Sequence, residues 1–156
     1  MTPSITITVA QFCDSHEIAE MSRTLIERGL PWTWRPGRIA REIAAADKNV
    51  VVARSQDGII GFGIMEYLDQ YAYLVLFAVR PTGQRQGVGS AILSWLEASA
   101  SVAGLEKIRV EARRDNLAGR CFYNEHGYHE IKIERHRYSG VADGVTLEKW
   151  LRNSAA

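Results

Sequence analysis

Hydrophobic residues along this chain keep two spacings, that of a strand and that of a helix, and the switches between them mark its elements. Ile5, Ile7 and Val9 alternate with Thr6 and Thr8, as a strand with one buried face requires. Asp14-Ser15-His16-Glu17 then resembles a capping box, and Ile18, Met21 and Leu25 form the stripe of a helix that ends near Gly29. Leu30 to Gly37 keeps neither spacing and carries Trp32 and Trp34 between two prolines, which predicts a loop with a heavy aromatic load. Ile39 and Ile43 predict a second, shorter helix. Val50–Arg54 and Ile59–Tyr67 read as strands joined by Ser55-Gln56-Asp57-Gly58, whose Asp-Gly step marks a hairpin.

The strand Tyr71–Val79 follows after another short turn, so it is expected to pair antiparallel as well. Both its faces are largely apolar, Tyr71, Tyr73, Val75, Phe77 and Val79 against Ala72, Leu74, Leu76 and Ala78, which predicts a central strand covered on both sides. A helix from about Gly87 to Val102 buries Ile92, Leu93, Leu96 and Ala100 and stops at Gly104. Lys107–Arg113 is the next strand, and the strand, helix, strand order implies one parallel pair. Asn116 caps a helix that Gly127 closes, and strands follow at about Tyr128–Tyr138 and Val145–Trp150. The predicted fold is α/β of the α+β type: one domain over residues 1–156, three αβα layers, and a mixed, mostly antiparallel sheet of six to seven strands. Only the tail Asn153–Ala156 reads as loose.

Composition narrows function more than fold. Hydrophobic residues at 46% and charged residues at 24% are ordinary for a globular chain, and the apolar runs fall well short of the roughly 20 residues a membrane helix needs. Met1-Thr2-Pro3-Ser4-Ile5 has neither a basic nor an apolar leader region, so a cytoplasmic protein without a membrane partner is expected. A formal net charge of +1 gives no electrostatic case for nucleic acid. Arginines do bunch at Arg109, Arg113, Arg114 and Arg120, then at Arg135 and Arg137; such a run is a solvated face or, less commonly, a site for an acidic ligand. Cys13 and Cys121 have no CxxC spacing. Glu125, His126 and His129 straddle a helix end and are expected to diverge, so no metal is anticipated.

Candidate chemistry concentrates at Gln84-Arg85-Gln86-Gly87-Val88-Gly89, a glycine-bearing turn between an apolar strand and an amphipathic helix. Glycine lets a ligand approach the backbone, and the amides of a first helical turn favour an anion, so the turn suits a phosphate. A nucleotide P-loop needs Gly-Lys-Ser/Thr, whereas Gly89 is followed by Ser90-Ala91. A dinucleotide fingerprint needs a third glycine where Ile92 stands.

With Val79-Arg80-Pro81 before it, the turn fits the Gln/Arg-x-x-Gly-x-Gly/Ala pyrophosphate loop of one family. Asn116-Leu117-Ala118, Phe122-Tyr123 and Gly127-Tyr128 fit that family's later segment, with tyrosine for its usual phenylalanine, and Gly61-Phe62 fits its third-strand signature. Residues 5–150 thus resemble the GNAT family of acyl-CoA-dependent N-acetyltransferases. The resemblance implies acetyl-CoA as co-substrate, no metal, and a parallel pair of strands that splay apart to admit pantetheine beside Phe77, Ala78 and Val79. It implies coenzyme contacts from Gln84, Arg85, Gln86, Gly87, Val88, Gly89 and Ser90, with Gln84 shaping the loop.

By the same resemblance Tyr123 protonates the departing coenzyme A sulfur and Asn116 touches pantetheine. Glu111 stands where the ribosomal-protein alanine N-acetyltransferase branch places a glutamate that serves as base. Its alternation with Ile108, Val110 and Ala112 equally suits a solvated or salt-bridged carboxylate, and a water chain to Glu66 or the Tyr138 region is another route for the proton. The implied acceptor pocket takes Trp32, Trp34 and Arg35 from the first interhelical loop and Tyr138 from the late strands, although the aromatic loop could instead plug the core. Transfer of acetyl to a primary amine, on a peptide N-terminus, an amino acid or a small amine, is the leading expectation, by a monomer or homodimer. A non-catalytic acyl-CoA sensor is the alternative.

Overall fold

The computed structural model describes residues 4–84, 86–138 and 142–151, with residues 136–138 described by backbone alone. Arg85, the side chain of Tyr138 and the tail Asn153–Ala156 therefore lie outside the described residues. Seven strands form a sheet: β1 (Thr6–Val9), β2 (Lys48–Ser55), β3 (Gly58–Tyr67), β4 (Tyr71–Val79), β5 (Lys107–Arg113), β6 (His129–Tyr138) and β7 (Ala142–Trp150). Their order is β1-β2-β3-β4-β5-β7-β6. The described helices are α1 (Ser15–Met21), α2 (Pro36–Ala44), α3 (Val88–Val102) and α4 (Leu117–Glu125). The mixed, mostly antiparallel sheet with one parallel pair is the one the periodicities predict.

Two compact units divide the chain, Met1–Glu66 with Val75–Leu96, and Tyr67–Leu74 with Glu97–Ala156. In the first, β1 pairs antiparallel with β2 and β2 with β3 through a tight turn at Gly58, whose φ is +106°. One face of this unit packs Ile18, Met21 and Ile39 from α1 and α2 against Val50, Val52, Phe62, Ile64, Leu76 and Ala78. On the other face α3 seats so closely that a Cβ at Gly61 or Gly63 would stand 2.9 Å from Ile92 or Leu96. Glycine on β3 is what lets α3 approach.

In the second unit the parallel ladder joins Tyr71–Leu74 to Lys107–Val110 and covers only those four pairs, although β4 and β5 both continue. β5 then pairs antiparallel with β7, and β7 with β6. Ile108, Val110 and Ala112 are buried and lie in register with Lys149, Leu147 and Val145, while Lys107, Arg109, Glu111 and Arg113 take the half-exposed positions between. The alternation read from the sequence is thus the one the strand adopts.

Three local expectations need correction. The first helix does not run unbroken towards Gly29: α1 gives way to a π turn at Ser22–Ile26, closed by Glu27 N–H donating to Ser22 C=O at 2.8 Å. Asp14 does not cap α1 with its side chain; its carboxylate accepts from Gln11 N–H at 2.8 Å and pairs with Arg54 at 2.6 Å, because a 3-10 turn over Phe12–Asp14 precedes the helix. β4 is not covered equally: Ala72, Leu74, Leu76 and Ala78 are buried, while Tyr71, Tyr73, Val75, Phe77 and Val79 are only half-buried. Apolar composition on both faces did not distinguish full from partial cover.

Candidate active site

The glycine turn enters α3 as the sequence places it. Gly87 has φ +79°, a conformation that favours glycine, and a Cβ there would meet nothing within 4 Å. The first helical bond runs from Ala91 N–H to Gly87 C=O at 3.0 Å, so the amides of Val88 and Gly89 stand ahead of the ladder. Gln84 Nε2 donates to Val79 C=O at 3.3 Å and Gln86 Nε2 to Thr82 C=O at 3.1 Å. Both glutamines thus fold back onto the loop backbone. Phe77 and Val79 are half-buried and Ala78 buried at the end of β4; Ser90 sits half-buried in the first turn of α3.

Asn116 and Tyr123 both belong to α4. Asn116 is its N-cap, its Oδ1 accepting from Gly119 N–H at 3.0 Å, and a Cβ at position 119 would collide with the asparagine side chain. Tyr123 is buried, with its ring edge-on to Phe122 at 5.6 Å and to Tyr128 at 5.7 Å. Tyr128 is fully buried and donates to Glu97 Oε2 at 2.8 Å, and Glu97 also pairs with Lys149 at 3.1 Å. Burial, then the Glu97 charge and hydrogen bond, push the Tyr128 hydroxyl far up, so it is a fixed neutral donor. Glu111 is half-buried on β5, in register with Thr146.

The aromatic loop is built around a residue the sequence reading did not single out. Glu27 is buried, and its Oε1 accepts from Thr33 N–H at 2.7 Å, Thr33 hydroxyl at 2.9 Å and Trp34 N–H at 3.3 Å. Its Oε2 accepts from the Ser22 hydroxyl at 2.8 Å, a pairing five residues apart that the wide π turn permits. Trp34 is built into the core with Ile18 and Ile39, the plug reading of the loop. Trp32 is half-buried and donates from Nε1 to Ala19 C=O at 3.2 Å. Arg23 and Arg35 lie over the Trp32 ring, 5.0 and 4.7 Å from its centroid, and Arg38 lies 3.5 Å over Trp34. No local signal marks Glu27 as the hub, since its donors come from a loop whose path the sequence does not specify.

The sequence's arginine bunch is internally matched. Arg109 reaches Glu148 at 2.7 Å, Arg113 Asp115 at 3.4 Å, Arg114 Asp143 at 3.4 Å and Arg120 Glu130 at 2.8 Å. Arg135 is exposed, and the Arg137 side chain lies outside the described residues. Among the described residues no helix is long and apolar enough to cross a membrane.

Residues 46–130, more than half of the chain, match the model of the acetyltransferase (GNAT) domain. The chain belongs to the GNAT acetyltransferase family. The enzyme class and fold that the sequence resemblance implies are those of this family. The N-alpha-acetyltransferase RimI of Mycobacterium tuberculosis is 29% identical to this GNAT chain over 154 residues, covering 95% of it and 94% of the relative. The ribosomal-protein-S18-alanine N-acetyltransferase of Escherichia coli superposes with a TM-score of 0.81 at 22% identity, over 97% of this chain and 96% of that one. PaiA N-acetyltransferase of Thermoplasma acidophilum, solved in complex with coenzyme A, gives 0.80 at 19% identity over 94% and 99%.

Proposed function

We propose that this GNAT chain moves the acetyl group of acetyl-CoA onto the α-amino group of a peptide or protein N-terminus in the cytoplasm. The observation that carries the donor is the Gly87 turn, where a positive-φ glycine opens the start of α3 and its leading amides to a phosphate. Support for the acceptor comes from the near full-length likeness to a relative named for N-alpha acetylation.

The chemistry then needs three groups. The amine gives up a proton, to Glu111 or to water leading from it, and attacks the thioester carbonyl; a C–N bond forms and the carbonyl becomes an oxyanion. Backbone amides near Phe77–Val79 stabilise that oxyanion, an effect worth about 3–4 kcal/mol in a preorganised site. As the tetrahedral intermediate collapses, the C–S bond breaks and Tyr123 gives its hydroxyl proton to the thiolate, to be reprotonated from solvent. Asn116 serves as cap of α4 and as a contact for pantetheine at once.

Thiol release from acetyl-CoA, followed over peptides with different first residues, tests this reading. Turnover on at least one peptide is expected, with Tyr123→Phe lowering kcat by about 100-fold while coenzyme A affinity stays near the parent's. Coenzyme binding with no thiol release on any amine would turn the protein into an acyl-CoA sensor.

A further inference from the structure

Among the described residues cations lie over aromatic rings in three places, and a carboxylate closes two of them, on β5 and where Glu97 meets Lys149 over Tyr128. On β5, Arg109 lies 4.5 Å over Tyr71 and Lys107 4.9 Å over Trp150, and the Glu148 carboxylate meets both, at 2.7 and 3.3 Å. Between α1 and α2, Arg23 and Arg35 share the Trp32 ring and Arg38 covers Trp34. No carboxylate among the described residues reaches Arg35, Arg38 or the exposed Arg41, and Arg23 meets only Glu20, at 3.8 Å with both side chains more than half exposed. The other three carboxylates of Ser15–Ala44 are occupied: Glu17 by Arg80 at 3.6 Å, Glu27 by the four donors above, and Glu42 by Lys48 at 2.5 Å. Arg54 and Arg80 in the same unit do have carboxylate partners.

A guanidinium that lies over an aromatic ring and has no carboxylate partner can still bind an anion through its N–H groups, and a planar carboxylate is the shape those groups match. Two guanidinium groups over one indole also repel each other, which an incoming anion relieves. We infer that the Trp32–Arg35–Arg38 surface recognises acidic side chains of the acceptor, so the preferred acceptor is a peptide with Asp or Glu near its amino terminus. The inference rests on the acetyl-transfer reading for the amine, and on the arginine geometry for the acid. A carboxylate ligand fits better than a nucleic-acid backbone because the whole chain carries a net charge of only +1.

Three labelled peptides test it, alike in their first residue and carrying Glu, Gln or Lys at the next three. Binding is read by fluorescence anisotropy in the presence of coenzyme A at low and high salt, and turnover by thiol release. The Glu peptide should bind at least about tenfold tighter than the Gln peptide, with the gap closing as salt rises. R35E/R38E, its fold certified by thermal melting, should reverse the order in favour of the Lys peptide. Gln or Lys peptides binding as tightly as Glu would overturn the inference, as would a double variant that keeps the Glu preference. A single-stranded oligonucleotide that displaces the Glu peptide at lower concentration than free Glu peptide does would also overturn it, assigning the surface to nucleic acid. A Glu peptide that binds tightly yet releases no thiol supports acid recognition and refutes acetyl transfer instead.

Discussion

Arginine does two different jobs in two regions of this protein. On the β5–β7 face its charge is spent internally: Arg109 and Lys107 close on Glu148, which is buried between them. Between α1 and α2 the buried carboxylate, Glu27, accepts backbone and hydroxyl protons instead, and the arginines lie outside it on tryptophan rings. The first region is a self-contained brace, whereas the second is a shaped loop whose rings carry exposed or half-exposed cations. Residue type does not separate them; what each carboxylate accepts does.

Breaking the Glu27 hub should have the larger effect. Glu27→Ala leaves two backbone amides and two hydroxyls without their acceptor and is expected to cost about 3 kcal/mol. Chemical denaturation measures this; a loss no greater than that of an exposed substitution would show that water replaces the carboxylate. Its acceptor KM should rise more than its acetyl-CoA KM.

The brace is expected to be weaker and to depend on pH. Glu148→Gln should cost about 1.5 kcal/mol at neutral pH, since Arg109 and Lys107 remain partly open to solvent. Burial raises the Glu148 carboxyl, but the hydrogen bonds from Arg109 and Lys107 outweigh it and hold the group below the ordinary carboxylate range. A folded pKa below the unfolded one lends stability above the unfolded value, and that share is lost as pH falls through the folded value. The gap between parent and Glu148→Gln should therefore narrow on acidification from about pH 4.5. Parallel stability curves over that range would count against the brace.

Arg38→Ala should have the smallest effect on stability, about 0.5 kcal/mol, because a half-exposed cation over an indole contributes little to folding. A loss as large as that of Glu148→Gln, read by the same denaturation, would mean that Arg38 is a structural brace as well.

Much of this was legible beforehand for a local reason. Alternation at Ile108, Val110 and Ala112 gave β5 its buried face, and Asn116 with Gly127 bounded α4, because periodicity and capping depend on neighbours in the chain. The Gln84–Gly89 turn was equally readable, since Gly87 needs its positive φ whatever packs nearby. The limits showed at β4, where apolar residues on both faces suggested equal cover, and at Asp14, whose carboxylate pairs with Arg54, forty residues away in sequence.

The sequence by itself determined most of the elements, the family and the glycine turn ahead of α3, all of them properties of short stretches. Tertiary structure alone decided that β7 lies between β5 and β6, that a π turn aims Glu27 at the aromatic loop, and which arginines find a carboxylate. Arg109 and Glu148 lie 39 residues apart in sequence, and the Glu27 donors, though near in sequence, depend on the path of the loop; a charge carries no local mark of the partner it will meet.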